Sequence, residues 1–273
     1  MIKDIVTFLP DSAPDDPAAG YAASLAATFK AHLTGIALAF EPEIPPTSGP
    51  AVRLFLEQRK DHQTTAQATA ARLDDLVKRD GLSGETRVLA TTVRGASSLV
   101  GGIARRFDIA VIGQAQPERP TPSQAIIEGA LFESGRPVLV VPYIQKTGFR
   151  TDRVMVCWDA SRAAARALAD AMPLLHGAQA VDVVIVAGES HKSDRVLGTD
   201  VAQHLARHVP HVTVEHITAD IDIAAALLNY VADRSVDLIV MGGYGHSRMR
   251  EFILGGTTRT MLRSMTAPTL MSH

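Results

Sequence analysis

The chain has one cysteine, Cys157, among 273 residues. A single thiol can neither close an internal disulfide nor build a multi-cysteine zinc centre, so a reducing compartment, the cytoplasm, is expected. No run of about 18 apolar residues occurs, so no membrane-spanning helix and no membrane partner are expected. The first ten residues lack a basic stretch followed by a long apolar one, so no secretory signal is expected either. Lys and Arg (27) do not outnumber Asp and Glu (29), and no basic run stands out. A nucleic-acid partner, which requires an excess of cations, is therefore not expected. The ten histidines show no HExxH-type spacing, and neither a G-x-S-x-G elbow nor a Walker A lysine is present. With no general base in evidence, the expectation is a protein that is not an enzyme and has no protein-ligated metal.

What is present is the composition of an ordinary globular protein, 46% apolar and 21% charged. The length suits two domains of about 100–150 residues each. Internal similarity supports that division. Asp108-Ile-Ala-Val-Ile-Gly113 matches Asp237-Leu-Ile-Val-Met-Gly242, and Arg136-Pro-Val-Leu139 matches Ala267-Pro-Thr-Leu270. Ile5 to Leu9 resembles Val154 to Trp158. Long-period similarity of this kind implies two copies of one fold. The boundary falls between Tyr143 and Asp152, giving expected domains over 1–145 and 151–273.

In the second half, apolar strands at Arg153–Trp158, Val181–Ala187, Val212–Ile217, Val236–Met241 and Thr269–Ser272 alternate with helices. The helices are expected over Ser161–Leu175, Asp200–His208, Ile223–Arg234 and Arg248–Met265. The first half has strands at Ile5–Leu9, Leu33–Ala39, Thr86–Ala90, Ile109–Ile112 and Val138–Val141. Near-continuous apolar strands separated by helices predict an α/β fold: a doubly wound, Rossmann-like parallel sheet in each half. The first half is longer between its first and fourth strands, mostly around Glu41–His62. A Pro-rich loop there leads into a long helix expected over Val52–Lys78.

Ligands of such sheets bind beyond the carboxyl ends of the strands, where strand order reverses. In the second half Asp159 and Gly242 end the two strands that meet there. The Asp159 carboxylate can accept hydrogen bonds from a ribose hydroxyl or an adenine amino group; equally, it can make a turn or cap a helix. Ser161 can face a phosphate or cap its own helix. Gly242 and Gly245 precede a nine-residue spacer, and Gly255 and Gly256 follow it. Glycines let backbone N–H groups approach an anion, and Thr257 and Thr258 add hydroxyls at a helix start. The alternative reading makes the glycines ordinary turn and cap residues. His246 follows the second glycine, and Arg248 can pair with a terminal phosphate or stay solvated. Trp158 and Cys157 read as core.

These motifs resemble a tandem universal stress protein, two such domains in one chain. Nucleotide-binding members of the family carry G-x2-G-x9-G-(S/T) after the fourth strand. Gly242-x2-Gly245-x9-Gly255 matches, with Gly256 where Ser or Thr is usual. The family's acidic residue after the first strand corresponds to Asp159, and Ser161 completes a D-x-S element. The resemblance implies two domains related by a pseudo-twofold axis, with the final strands Val138–Val141 and Thr269–Ser272 pairing. It implies a stress-response role, and ATP held by Asp159, Ala160, Ser161, Ala187, Met241, Gly242, Gly245, His246, Gly255, Gly256, Thr257 and Thr258. Mg²⁺ or Mn²⁺ would be held by the phosphates, and two chains could form a homodimer. The first half departs from the pattern. Pro10 stands at the acidic position, Gln116 replaces the second glycine, Gly129 is followed by Ala130, and three prolines interrupt 117–123. A degenerate first site is therefore expected. The competing functions are a nucleotide-independent interaction module and, opposed by the missing catalytic signature, an α-hydrolase-like enzyme.

Overall fold

The computed structural model describes residues 1–9, 17–42, 49–116, 122–187, 194–218, 222–243 and 256–273. The chain divides into two units, Met1–Phe149 and Arg150–His273. Each is an α/β unit built on a parallel sheet.

The first unit runs β1 (Asp4–Leu9), α1 (Pro17–Phe29), β2 (His32–Phe40), α2 (Pro50–Arg79), β3 (Gly84–Thr91), α3 (Ala96–Ala104), β4 (Ile109–Gly113), α4 (Ser123–Glu133) and β5 (Val138–Val141). Its strand order is β3-β2-β1-β4-β5, all parallel. The second unit runs β6 (Arg153–Cys157), α5 (Arg162–Leu175), β7 (Ala180–Ala187), α6 (Asp194–Leu205), β8 (Val212–Thr218), α7 (Ile223–Arg234), β9 (Leu238–Gly242), α8 (Thr257–Ser264) and β10 (Thr269–Ser272). Its order is β8-β7-β6-β9-β10. Order reverses between β1 and β4 and between β6 and β9, as the doubly wound expectation requires.

Burial explains the apolar runs. Ile5, Val6 and Phe8 on β1, and Val154 and Met155 on β6, are fully buried, as strands covered by helices on both faces must be. The duplication extends to individual hydrogen bonds. The Asp108 carboxylate accepts from the Lys3 and Asp4 amides (2.7 and 3.1 Å), and Asp237 accepts from the Arg153 amide (2.9 Å). In return the Asp108 amide donates to the Asp4 carbonyl and the Asp237 amide to the Arg153 carbonyl, both at 2.9 Å. The residue after the fourth strand, Gln114 or Gly243, donates its amide to the end of the last strand, Val141 or Ser272, at 2.8 Å in both units.

Two expected boundaries need correction. The helix expected over Asp200–His208 spans Asp194–Leu205 instead. Pro210 disfavours helical backbone at the residue before it, so the last turn loosens into 206–208. At the other end Gly198, a poor helix former, lies inside α6, where a side chain would collide with Ile185 of β7. The helix expected over Arg248–Met265 is described only from Thr257; residues 244–255 lie outside the described set. The long helix in the first half spans Pro50–Arg79, opened by Gly49 at φ +82 and by the proline itself. After β5 the chain runs past Tyr143 to Phe149. The Phe149 ring contacts Tyr21 edge-on (6.0 Å) and Phe29 (5.9 Å), and its amide donates to Ser24 Oγ (3.0 Å).

Candidate functional site

In the second unit the carboxyl ends of β6, β7 and β9 gather several of the expected residues. β6 stops at Cys157, but the Trp158 amide still donates to the Val184 carbonyl (2.9 Å), which keeps the chain on the sheet for one more residue. The next three residues turn sharply. The Ser161 amide donates to Asp159 Oδ1 (2.9 Å), and Ala160 adopts a left-handed backbone at φ +58. Ser161 then caps α5, its Oγ accepting from the Ala164 amide (3.1 Å). One Asp159 oxygen is therefore committed to a turn while the residue stays exposed to solvent. A β-carbon in the left-handed region is strained, and the turn and cap together hold Ala160 there.

Gly242 ends β9 against the start of α5. A side chain at this position would put its first carbon 2.6 Å from the Ala164 nitrogen and 2.7 Å from the Ala163 carbonyl carbon. The missing side chain thus lets helix and strand approach closely. The next amide, that of Gly243, is already bonded to the Ser272 carbonyl (2.8 Å). Gly256 is the N-cap of α8 and has no side chain to fill that role; its carbonyl accepts from Arg259 (2.9 Å) and Thr260 (3.2 Å). Thr257, half-buried, and Thr258, at 3% exposure, form the first turn at the positive end of the helix. Ala187 ends β7, and Met241 is buried in β9. Gly245, His246, Arg248 and Gly255 lie outside the described residues.

Burial, reinforced by the Asp159 charge, pushes the Cys157 thiol up to about 12. A thiol held neutral at physiological pH is not a nucleophile. Among the described residues no group of three histidine, cysteine or acidic side chains could hold a metal ion. At the carboxyl ends of these strands the described residues present one exposed carboxylate, Asp159.

At the corresponding place in the first unit, residues 10–16 and 117–121 lie outside the described residues. Gln114, 5% exposed, folds its side chain back so that Oε1 accepts from the Tyr143 amide (3.3 Å). Gly129 lies within α4, and its missing side chain admits the α3 backbone at Ser97. It is a helix-crossing glycine.

Sequence reasoning missed two features. One is the Asp182 network inside β7. The carboxylate, only 3% exposed, accepts from Arg153 Nη1 (2.9 Å) and Thr213 Oγ1 (2.6 Å). Its signal was available: a charged residue in the middle of the apolar run Val181–Ala187. The other is a cavity beside α2 in the first unit, signalled by Arg72, Leu73, Leu76 and Arg79 at helical spacing.

Residues 150–273 match the model of the Universal stress protein family. A 45-residue stretch is 42% identical to Universal stress protein Slr1230 of Synechocystis, and covers 16% of this chain and 16% of that protein. A solved universal stress protein from Archaeoglobus fulgidus superimposes with a TM-score of 0.71 at 16% identity, over 98% of this chain and 96% of its own. A protein of unknown function from Pseudomonas aeruginosa, PA1789, superimposes at 0.58 with 13% identity, over 99% of this chain and 92% of its own. At these identities the structures speak for the fold. The second unit thus matches the universal stress protein family model, and the chain over nearly its whole length shares its fold with a solved universal stress protein.

Proposed function

We propose that the chain is a cytoplasmic stress-response protein whose second unit binds ATP without turning it over. The observation that carries this reading is the junction of β6 and β9, where strand order reverses and the exposed Asp159 turn stands beside the end of β9. Asp159 would accept from the ribose or the adenine amino group. The amides around Gly245, Gly255 and Gly256 would face the phosphates at the start of α8. Mg²⁺ or Mn²⁺ would be held by phosphate oxygens and water. Two such chains could pair as a homodimer.

A second reading, a nucleotide-independent interaction module, draws on two commitments. The space at Gly242 is taken by α5, and the Gly243 amide by Ser272. Both would fit a glycine loop that is only structural.

Calorimetry with ATP and Mg²⁺ separates them. Saturable binding by the wild type, weakened about tenfold or more in Gly245→Gln and in Asp159→Ala, is expected of the first reading. Equal heats in all three proteins, or none in any, would leave the second. Chromatography of the supernatant after denaturing the purified protein would reveal a nucleotide retained from the cell.

A further inference from the structure

We propose that the first unit binds a small amphipathic anion in a cavity between α1, α2 and the chain that follows β5, a site separate from the nucleotide crevice of the second unit. The cavity holds about 620 Å³, within the range of about 300–1,000 Å³ that accommodates small organic ligands.

Its shape follows from residue sizes. On α1 it is lined by Ala19 and Gly20, and a carbon added at Gly20 would meet no atom within 4 Å. On α2 the lining residues Arg72, Leu73, Leu76 and Arg79 fall at spacings of three, four and seven, one face of a helix. Small side chains opposite long ones leave a gap that neither helix closes.

The lining has two chemistries. Leu9, Leu73 and Leu76 form an apolar wall, and Tyr143 and Ile144 extend it at 45% and 50% exposure. Three cations share the lining: Arg72, Arg79 and Lys146. Arg79 is paired with Asp80 (2.9 Å). Arg72 donates to Thr69 Oγ1 (2.8 Å), which steadies the guanidinium and leaves its other donors available. Among the described residues no carboxylate pairs with Arg72 or Lys146. An apolar body against the leucines with one anionic head on Arg72 and Lys146 would satisfy both, because a charge-assisted hydrogen bond to guanidinium is among the stronger polar contacts available.

The second unit shows that this composition is particular to the first. At the matching place, between α5 and α6, the cavity is about 420 Å³. Trp158 stands there in the position of Leu9, and Asp200 and His204 line it in place of the cations. A negative charge at the rim would repel the same ligand.

The test is calorimetric titration of the full chain with decanoate, decanol and decylamine, which share an apolar tail and differ in head charge. Decanoate should bind at one equivalent per chain and at least about tenfold more tightly than the other two. Gly20→Phe fills open space and should abolish binding. Arg72→Glu combined with Lys146→Glu, both at exposed positions, should weaken it about tenfold or more. Circular dichroism should match wild type in both variants, and neither should melt below it. Saturating ATP should leave decanoate binding unchanged. Absence of saturable decanoate binding, equal affinity for decanol or decylamine, or wild-type binding by either variant would overturn the proposal, whatever ATP does at the second unit.

Discussion

The side chain that Gly242 lacks would begin 2.6 Å from the backbone nitrogen of Ala164. Backbone on that side cannot rotate away as a flexible side chain can. Gly242→Ala should therefore push β9 and α5 apart at a cost of about 1–3 kcal/mol. Urea denaturation reads the change. A variant with an unaltered midpoint would show that helix and strand have slack at this contact.

Gly20 provides the opposite case. It sits in α1 with open space around its missing carbon, and glycine costs a helix about 0.5–1 kcal/mol relative to alanine. Gly20→Ala should raise the midpoint of unfolding by a corresponding amount. A fall would mean that the α1 backbone depends on glycine for a reason other than space.

Ala160 holds a left-handed backbone at φ +58. Glycine accepts that conformation without the β-carbon clash, so Ala160→Gly should stabilise the protein by about 0.5–1 kcal/mol after the added freedom of the unfolded chain is subtracted. Thermal melting measures it. Ser161→Ala, by contrast, removes the cap on the Ala164 amide and should cost about 1 kcal/mol. If both variants moved the same way, the turn and the cap would not be separable contributions.

Asp182 gives the protein an acid-sensitive element. Burial alone would push its carboxyl up, but hydrogen bonds from Thr213 and Arg153, with the Tyr230 hydroxyl beside it and the Arg153 charge, outweigh burial and hold it below the usual carboxylate range. A carboxyl depressed in the folded state stabilises that state above the ordinary carboxylate pKa, and the gain disappears as pH falls through the folded value. Arg153→Ala should lower stability near neutrality by about 1–3 kcal/mol and move acid unfolding to higher pH. Circular dichroism followed down in pH tests both. An acid midpoint that stays put, or shifts downward, would remove the ion pair from the account.

Cys157 should resist thiol reagents. With its thiol pushed up to about 12, chiefly by burial, almost no thiolate exists at neutral pH. Ellman's reagent should label it far more slowly in the folded protein than in denaturant, where the ordinary value near 8.5 returns. Rapid labelling of the native chain would show that the sulfur is ionised and open.

The strands were legible because burial on both faces writes itself as unbroken apolar residues, as in Val138-Leu-Val-Val141 and Leu238-Ile-Val-Met241. A helix start with a committed polar residue was also legible: Ser161 caps α5 as its position suggests. Glycine was the ambiguous letter. Gly198 hides in the middle of α6, and Gly129 lets α3 and α4 cross. Gly242 carries a ligand motif in sequence and a packing contact in space. A residue without a side chain records that something comes near, and only tertiary structure tells whether that is a helix, a strand or a ligand. The cavity of the first unit stayed hidden because it joins α1, α2 and Tyr143–Lys146, segments far apart along the chain.

The docking of Phe149 onto Tyr21, Phe29 and Ser24 dictates where the polypeptide can be cut. A fragment halted at Gln145 would shed this aromatic plug and strip α1 of its outer cladding. Solubility would then suffer for reasons unrelated to the sheet. Anyone expressing the amino-terminal half alone should let it run through residue 149.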